Sequence, residues 1–141
     1  MIRQLNQLIH SKAFSFIRIM QFLIAVAIFT GFALMPSKYA TALPASAPSL
    51  HFIGNFLLFS SAWVAWHGRT KLWFLVVLLV IYSVAIELAQ WLTPSRTVDK
   101  YDLAANMAGL FAAFCFTTVV ETFWQRLVRK YAFTAHKSQP Y

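Results

Sequence analysis

The chain has 141 residues, 60% hydrophobic and only 11% charged, with a formal net charge of +8. The length fits one domain, and the apolar content, well above the roughly 45–50% usual for soluble domains, excludes a water-soluble globular protein. Twelve basic residues against four acids could suit nucleic acid, but their placement along the chain assigns them to membrane orientation and anionic headgroups instead.

Residues 1–18 set Ile2, Leu5, Leu8, Ile9 and Lys12 at spacings of three and four. That pattern fits a cytoplasmic amphipathic helix on the headgroup surface, with a frayed tail as the alternative. The first apolar run is Ile19–Met35. Basic residues, this run and Ala45-Ser46-Ala47 together resemble a cleavable signal peptide. The run is too long for one, the stretch before the small residues is also long, and Pro48 would follow the scissile bond, so the first span is expected to be retained. Pro36, Pro44 and Pro48 mark residues 36–49 as an irregular outer loop.

The second run, Leu50–Trp66, ends in the tight turn His67-Gly68-Arg69-Thr70-Lys71. The third, Leu72–Leu92, stops at Thr93-Pro94-Ser95, because proline lacks the amide donor and disfavours helix in the residue before it. The fourth, Leu103–Phe123, carries the single cysteine, Cys115, and leads into a basic tail over 124–141 whose remote part reads as disordered. A span needs roughly 17–25 helical residues. The sequence therefore predicts an all-α integral membrane bundle of four transmembrane helices over 19–123, with spans at 19–35, 50–66, 72–92 and 103–123.

Orientation follows from the basic residues. Arg3, Lys12, Arg18, Arg69, Lys71, Arg126, Arg129, Lys130 and Lys137 fall on one face; Lys38, Arg96 and Lys100 fall on the other. The excess marks the cytoplasmic side, so both termini are expected inside. Cys115 reads as a packing residue, no Cys/His spacing suits a metal, and no cofactor motif occurs.

Between Glu87 and Gly109 the chain gathers Glu87, Gln90, Arg96, Asp99, Asp102, Asn106 and Gly109. Glu87 and Gln90 share a helix face, as do Asp102, Asn106 and Gly109. On the second span, His51 stands at the outer mouth with Asn55 one turn deeper. These groups are expected at one depth, in the outer half of the bilayer, with nothing comparable in the inner half. A charge in a span is expensive and commonly functional or paired. Arg96, the nearest permanent cation, is the preferred partner of Glu87, with Asp99 and Asp102 competing for it.

Each residue also has a structural role open to it. Glu87 with Arg96 can be a helix lock, Asp102 an N-cap, Asp99 a solvated loop acid, Asn55 an interhelical hydrogen bond and Glu121 a surface acid. Asn106 and Gly109-x-x-x-Ala113 can form a small-residue packing face, which is also a possible oligomer contact.

The string Glu87-x-x-Gln90, Pro94, Arg96, Asp102, Asn106, Gly109, preceded by His51 and Asn55-Phe56-Leu57-Leu58-Phe59, resembles the signature of the VanZ-like family of small bacterial membrane proteins. The likeness covers about residues 19–123. Ala47 and Pro48 replace an Asp-Lys pair found in many relatives before the histidine, and Ser61 and Trp63 stand where others have Pro and Gly. The family takes its name from a member associated with teicoplanin resistance, and its molecular activity is generally unassigned. The resemblance implies a multi-pass protein of the bacterial cytoplasmic membrane.

Three functions remain open at this point. One is an envelope protein that binds or repositions a lipid-linked or cell-wall component, with an effect on glycopeptide susceptibility. The second is an intramembrane lipid-modifying enzyme with Glu87 or Asp102 as acid/base and Arg96 as anion clamp, although no established nucleophile or metal motif is present. The third is a structural subunit of a membrane complex. The expected partners are membrane lipids and lipid-linked cell-wall intermediates, not nucleic acid.

Overall fold

The computed structural model describes residues 11–36, 39, 46–92 and 100–137, with side chains to Lys130 in the last helix. Four helices follow one another: α1 Lys12–Ala33, α2 Ala47–Trp66, α3 Leu72–Trp91 and α4 Lys100–Lys137. Ser11 caps α1, its hydroxyl accepting from the Phe14 amide at 3.2 Å. Pro48 lies in the first turn of α2, where its missing amide hydrogen costs nothing. Gly68 takes φ 73° just beyond the end of α2, a left-handed conformation that glycine adopts without steric penalty and that lets α3 start four residues later.

Three helix starts move from those expected: α2 begins at Ala47 rather than Leu50, because Pro48 is tolerated in a first helical turn, so residues 47–49 leave the expected outer loop. The first helix begins at Lys12 rather than Ile19, because the cap at Ser11 starts it before the apolar run does. The last helix begins at Lys100, which puts Asp102 in the first turn rather than at the N-cap, and it continues to Lys137 into the stretch read as disordered. A first-turn carboxylate is still well placed against the helix dipole.

The chain runs up and down, so that α2 and α4 are parallel. His51 and Asn55 meet Asn106, Phe59 stacks edge-on with Phe114, and Phe56 faces Phe116. The α2–α4 contact is the most extensive, and α2 also touches α1 and α3. Its closeness has a local cause: a Cβ on Gly109 would strike the carbonyl oxygen of Phe52. Ala113, one turn on, is completely buried. The Gly109/Ala113 stripe is thus occupied by α2 of the same chain.

The core around α2 consists of Phe22, Leu58, Phe59, Ala62, Ala65, Leu75, Leu79 and Leu110, together with Ala113. Outward positions are also apolar, among them Ile24, Ile28, Ile81, Leu88, Phe111 and Val119. Such a surface is a liability in water and suits a hydrocarbon surround. Among the described residues α1, α3 and α4 are long and apolar enough to cross a membrane. In α2 the same length is diluted by His51, Asn55, Ser60 and Ser61.

Candidate functional site

Three helices bring polar side chains together at the end of the bundle where α2 and α4 begin and α3 finishes. α2 supplies His51 and Asn55, α3 supplies Glu87 and Gln90, and α4 supplies Asp102 and Asn106, all buried. Burial without partners would be costly for every one of them.

The hydrogen bonds have a fixed direction. Asn55 Nδ2 donates to its own helix, to the His51 carbonyl oxygen at 3.0 Å. Since a carbonyl can only accept, that atom is the amide nitrogen, and its second contact, 2.6 Å to Asn106 Oδ1, is again a donation. Asn106 therefore offers its own Nδ2 to Glu87 Oε1, at 2.7 Å. His51 Nδ1, 3.0 Å from the same Asn106 Oδ1, carries a hydrogen and donates to it. Asn106 is the keystone: one oxygen takes two donors from α2 and one nitrogen reaches α3.

His51 stands between two carboxylates. Its Nδ1 is 3.8 Å from Glu87 Oε1 and its Nε2 is 3.6 Å from Asp102 Oδ2. With Nδ1 committed as donor, Nε2 either donates toward Asp102 as imidazolium or faces it as an acceptor. The imidazole thus bridges α3 and α4. At one turn deeper than His51 and Asp102, Asn55 and Asn106 lie about 6 Å below them, and they form a floor without ionisable groups.

Gln90 is turned elsewhere. Its Nε2 donates to the Ala33 carbonyl at the end of α1, at 2.7 Å, satisfying one of the acceptors a helix terminus leaves open. It fastens α1 to α3 beside the cluster. Arg96 and Asp99 lie outside the described residues, and with them the expected Glu87–Arg96 pair. Within the described part, the basic group nearest to hand for Glu87 is His51.

His51 looks weak in isolation, and its i, i+4 spacing to Asn55 is the sequence signal that both face one neighbour, as expected. One feature escapes sequence reasoning. Ser83, fully buried one turn before Glu87 on α3, has a hydroxyl without a hydrogen-bond partner among the described residues; a lone serine in an apolar run gives no such signal. Between α3 and α4, running from the level of Met107 toward the start of α3, lies an apolar cleft of ≈ 430 Å³ whose walls include Trp73, Val76, Val80, Met107, Leu110 and Phe111.

Comparison with known proteins agrees with this architecture. Residues 3–121 match the family described as VanZ/LLP1. No curated protein and no solved structure matches the chain.

Proposed function

This chain belongs to the VanZ/LLP1 family, and on that premise we propose that its polar cluster binds a lipid-linked or cell-wall component at the outer leaflet of the bacterial cytoplasmic membrane. The observation that carries the proposal is the His51 imidazole held between the carboxylates of Glu87 and Asp102. A helix lock needs no more than an amide pair, and Asn55 with Asn106 already supplies one. Two acids and an imidazole in addition are expensive in a membrane and point to a ligand.

The division of labour follows from depth. Asn55 and Asn106 form a floor tied to Glu87, while His51 and Asp102, nearest the helix mouths, are the groups presented to a headgroup. Their chemistry is rich in acceptors and suits hydroxyl, amide or ammonium groups, such as those of a sugar-peptide carrier lipid. The cleft between α3 and α4 suits one acyl or prenyl chain of the same ligand. Four spans with both termini cytoplasmic, α2 being the polar central one, complete the proposed arrangement, and altered teicoplanin susceptibility is its expected cellular consequence.

An acid/base role is the second reading, favoured by the same imidazole: a His flanked by two carboxylates can accept and return a proton. The test separates the readings. Purified protein is expected to retain envelope lipids detectable by native mass spectrometry. Asp102→Asn should reduce that retention roughly tenfold, as expected for loss of a charged hydrogen-bond partner, while the unfolding midpoint changes little. Equal retention by the variant, or no retained lipid in the wild type, overturns the binding proposal. A changed lipid mass after incubation establishes the enzymatic reading instead.

A further inference from the structure

The opposite end of the bundle was expected to hold nothing comparable, and the structure corrects this. Ser15, Arg18 and Gln21 recur at three-residue intervals along one side of α1. Gln21 Nε2 donates to the Ser61 carbonyl at 2.8 Å, and Ser61 Oγ donates back to Gln21 Oε1 at 2.6 Å, tying α1 to the end of α2. Arg69, from the α2–α3 turn, sends Nη1 to Ser15 Oγ at 2.6 Å. Arg18 is only 5% exposed, its guanidinium lying 5.5 Å from the centre of the Phe14 ring. The Arg69 charge acts against it.

Arg18 Nε and Nη2 are both buried without a hydrogen-bond partner among the described residues. These two nitrogens share one edge of the guanidinium and present parallel N–H bonds, the side-on fork that matches two oxygens of a phosphate or carboxylate. None of the described acids answers it. Glu87 and Asp102 belong to the other end, and Glu121 is engaged by His67 at 3.1 Å. The remaining acid, Asp99, lies outside the described residues. A buried guanidinium beside a second one is unfavourable unless an anion offsets it.

We propose that Ser15, Arg18 and Arg69 form a second binding site, specific for a phosphate group, between the start of α1 and the α2–α3 turn. The Arg18 fork grips two phosphate oxygens, and Arg69, held by Ser15, contributes the second positive charge. The exposed Phe16, Ile17 and Trp73 nearby place the site at the border of the apolar surface. The phosphate can be that of an anionic lipid headgroup or a soluble one.

The test uses the full chain in phosphate-free detergent and reads the unfolding midpoint, first with inorganic phosphate and then with phosphatidylglycerol, with an uncharged diacylglycerol as control. Either anion should stabilise the wild type, because binding to the folded state alone raises its midpoint. A shift with inorganic phosphate assigns a soluble source, and one with phosphatidylglycerol alone assigns the headgroup. Arg18→Met should unfold at the same temperature or higher without anion, having lost an unanswered buried charge, and should no longer respond to anion. Arg69→Gln, at an exposed position, should weaken the response roughly tenfold, as for loss of one charge-assisted contact. No response in the wild type overturns the site, as does an undiminished response in both variants.

Discussion

Asn106 shows how much one side chain can organise. It accepts from Asn55 and His51 and donates to Glu87, so three helices depend on which end of its amide points where. Replacing it by alanine strands buried donors and a carboxylate, and Asn106→Ala should cost about 2–4 kcal/mol in unfolding experiments on the solubilised protein. Asn106→Asp should cost more, since two carboxylates would then face each other. Combining Asn106→Asp with Glu87→Gln exchanges donor and acceptor across the same bond at unchanged net charge. Stability should then recover most of the loss; a double variant as unstable as Asn106→Asp would show that this bond does not set the network. Residue type and spacing made the members of this network visible in the sequence. The approach of His51 to Glu87 was less visible, because a histidine 36 positions earlier in the chain becomes its neighbour only when α2 packs against α3 and α4.

At the scale of elements, α2 is the least lipid-like helix and the most central, and the two properties have one cause. His51, Asn55, Ser60 and Ser61 lower its hydropathy, and they can be afforded because most of its surface meets protein. Its C-terminal boundary and both boundaries of α3 were legible from apolar run length and the turn at Gly68, whereas its start was not, since Pro48 read as loop. The early start of α1 was not legible either, since residues 1–18 read as a separate amphipathic segment, and only the Ser11 cap and the burial of Arg18 reveal that Lys12–Arg18 belong to the spanning helix. Packing gives a graded prediction. A methyl group at Gly109 meets the backbone oxygen of Phe52, whereas one at Gly54 meets the ring of Phe29. A carbonyl held in a helix cannot turn aside and a ring can. Gly109→Ala should therefore lose about 1–3 kcal/mol and Gly54→Ala clearly less, measured by thermal unfolding of each variant; equal losses would mean that α2 and α4 separate freely.

For the whole molecule, helix length and charge together fix how the two polar ends are placed. α1 and α3, with 22 and 20 residues, rise about 30 Å, the thickness of a hydrocarbon core. The Glu87 and Arg18 clusters thus sit near opposite headgroup layers, one acidic and one basic. With 38 residues, α4 is about 57 Å long and must project well past the core at its C-terminal end, where Arg126, Arg129 and Lys130 lie. The same end carries Arg18, Arg69 and Lys71, and in the proposed topology this Lys/Arg-rich end faces the cytoplasm. Reporter fusions at Gly68 and Tyr141 should therefore read as cytoplasmic, and fusions at Thr41 and Pro94 as external. The prediction couples the two sites. An external C-terminus would turn the His51 cluster toward the cytoplasm and the Arg18 pocket outward, removing the outer-leaflet reading of the first while leaving the phosphate chemistry of the second intact.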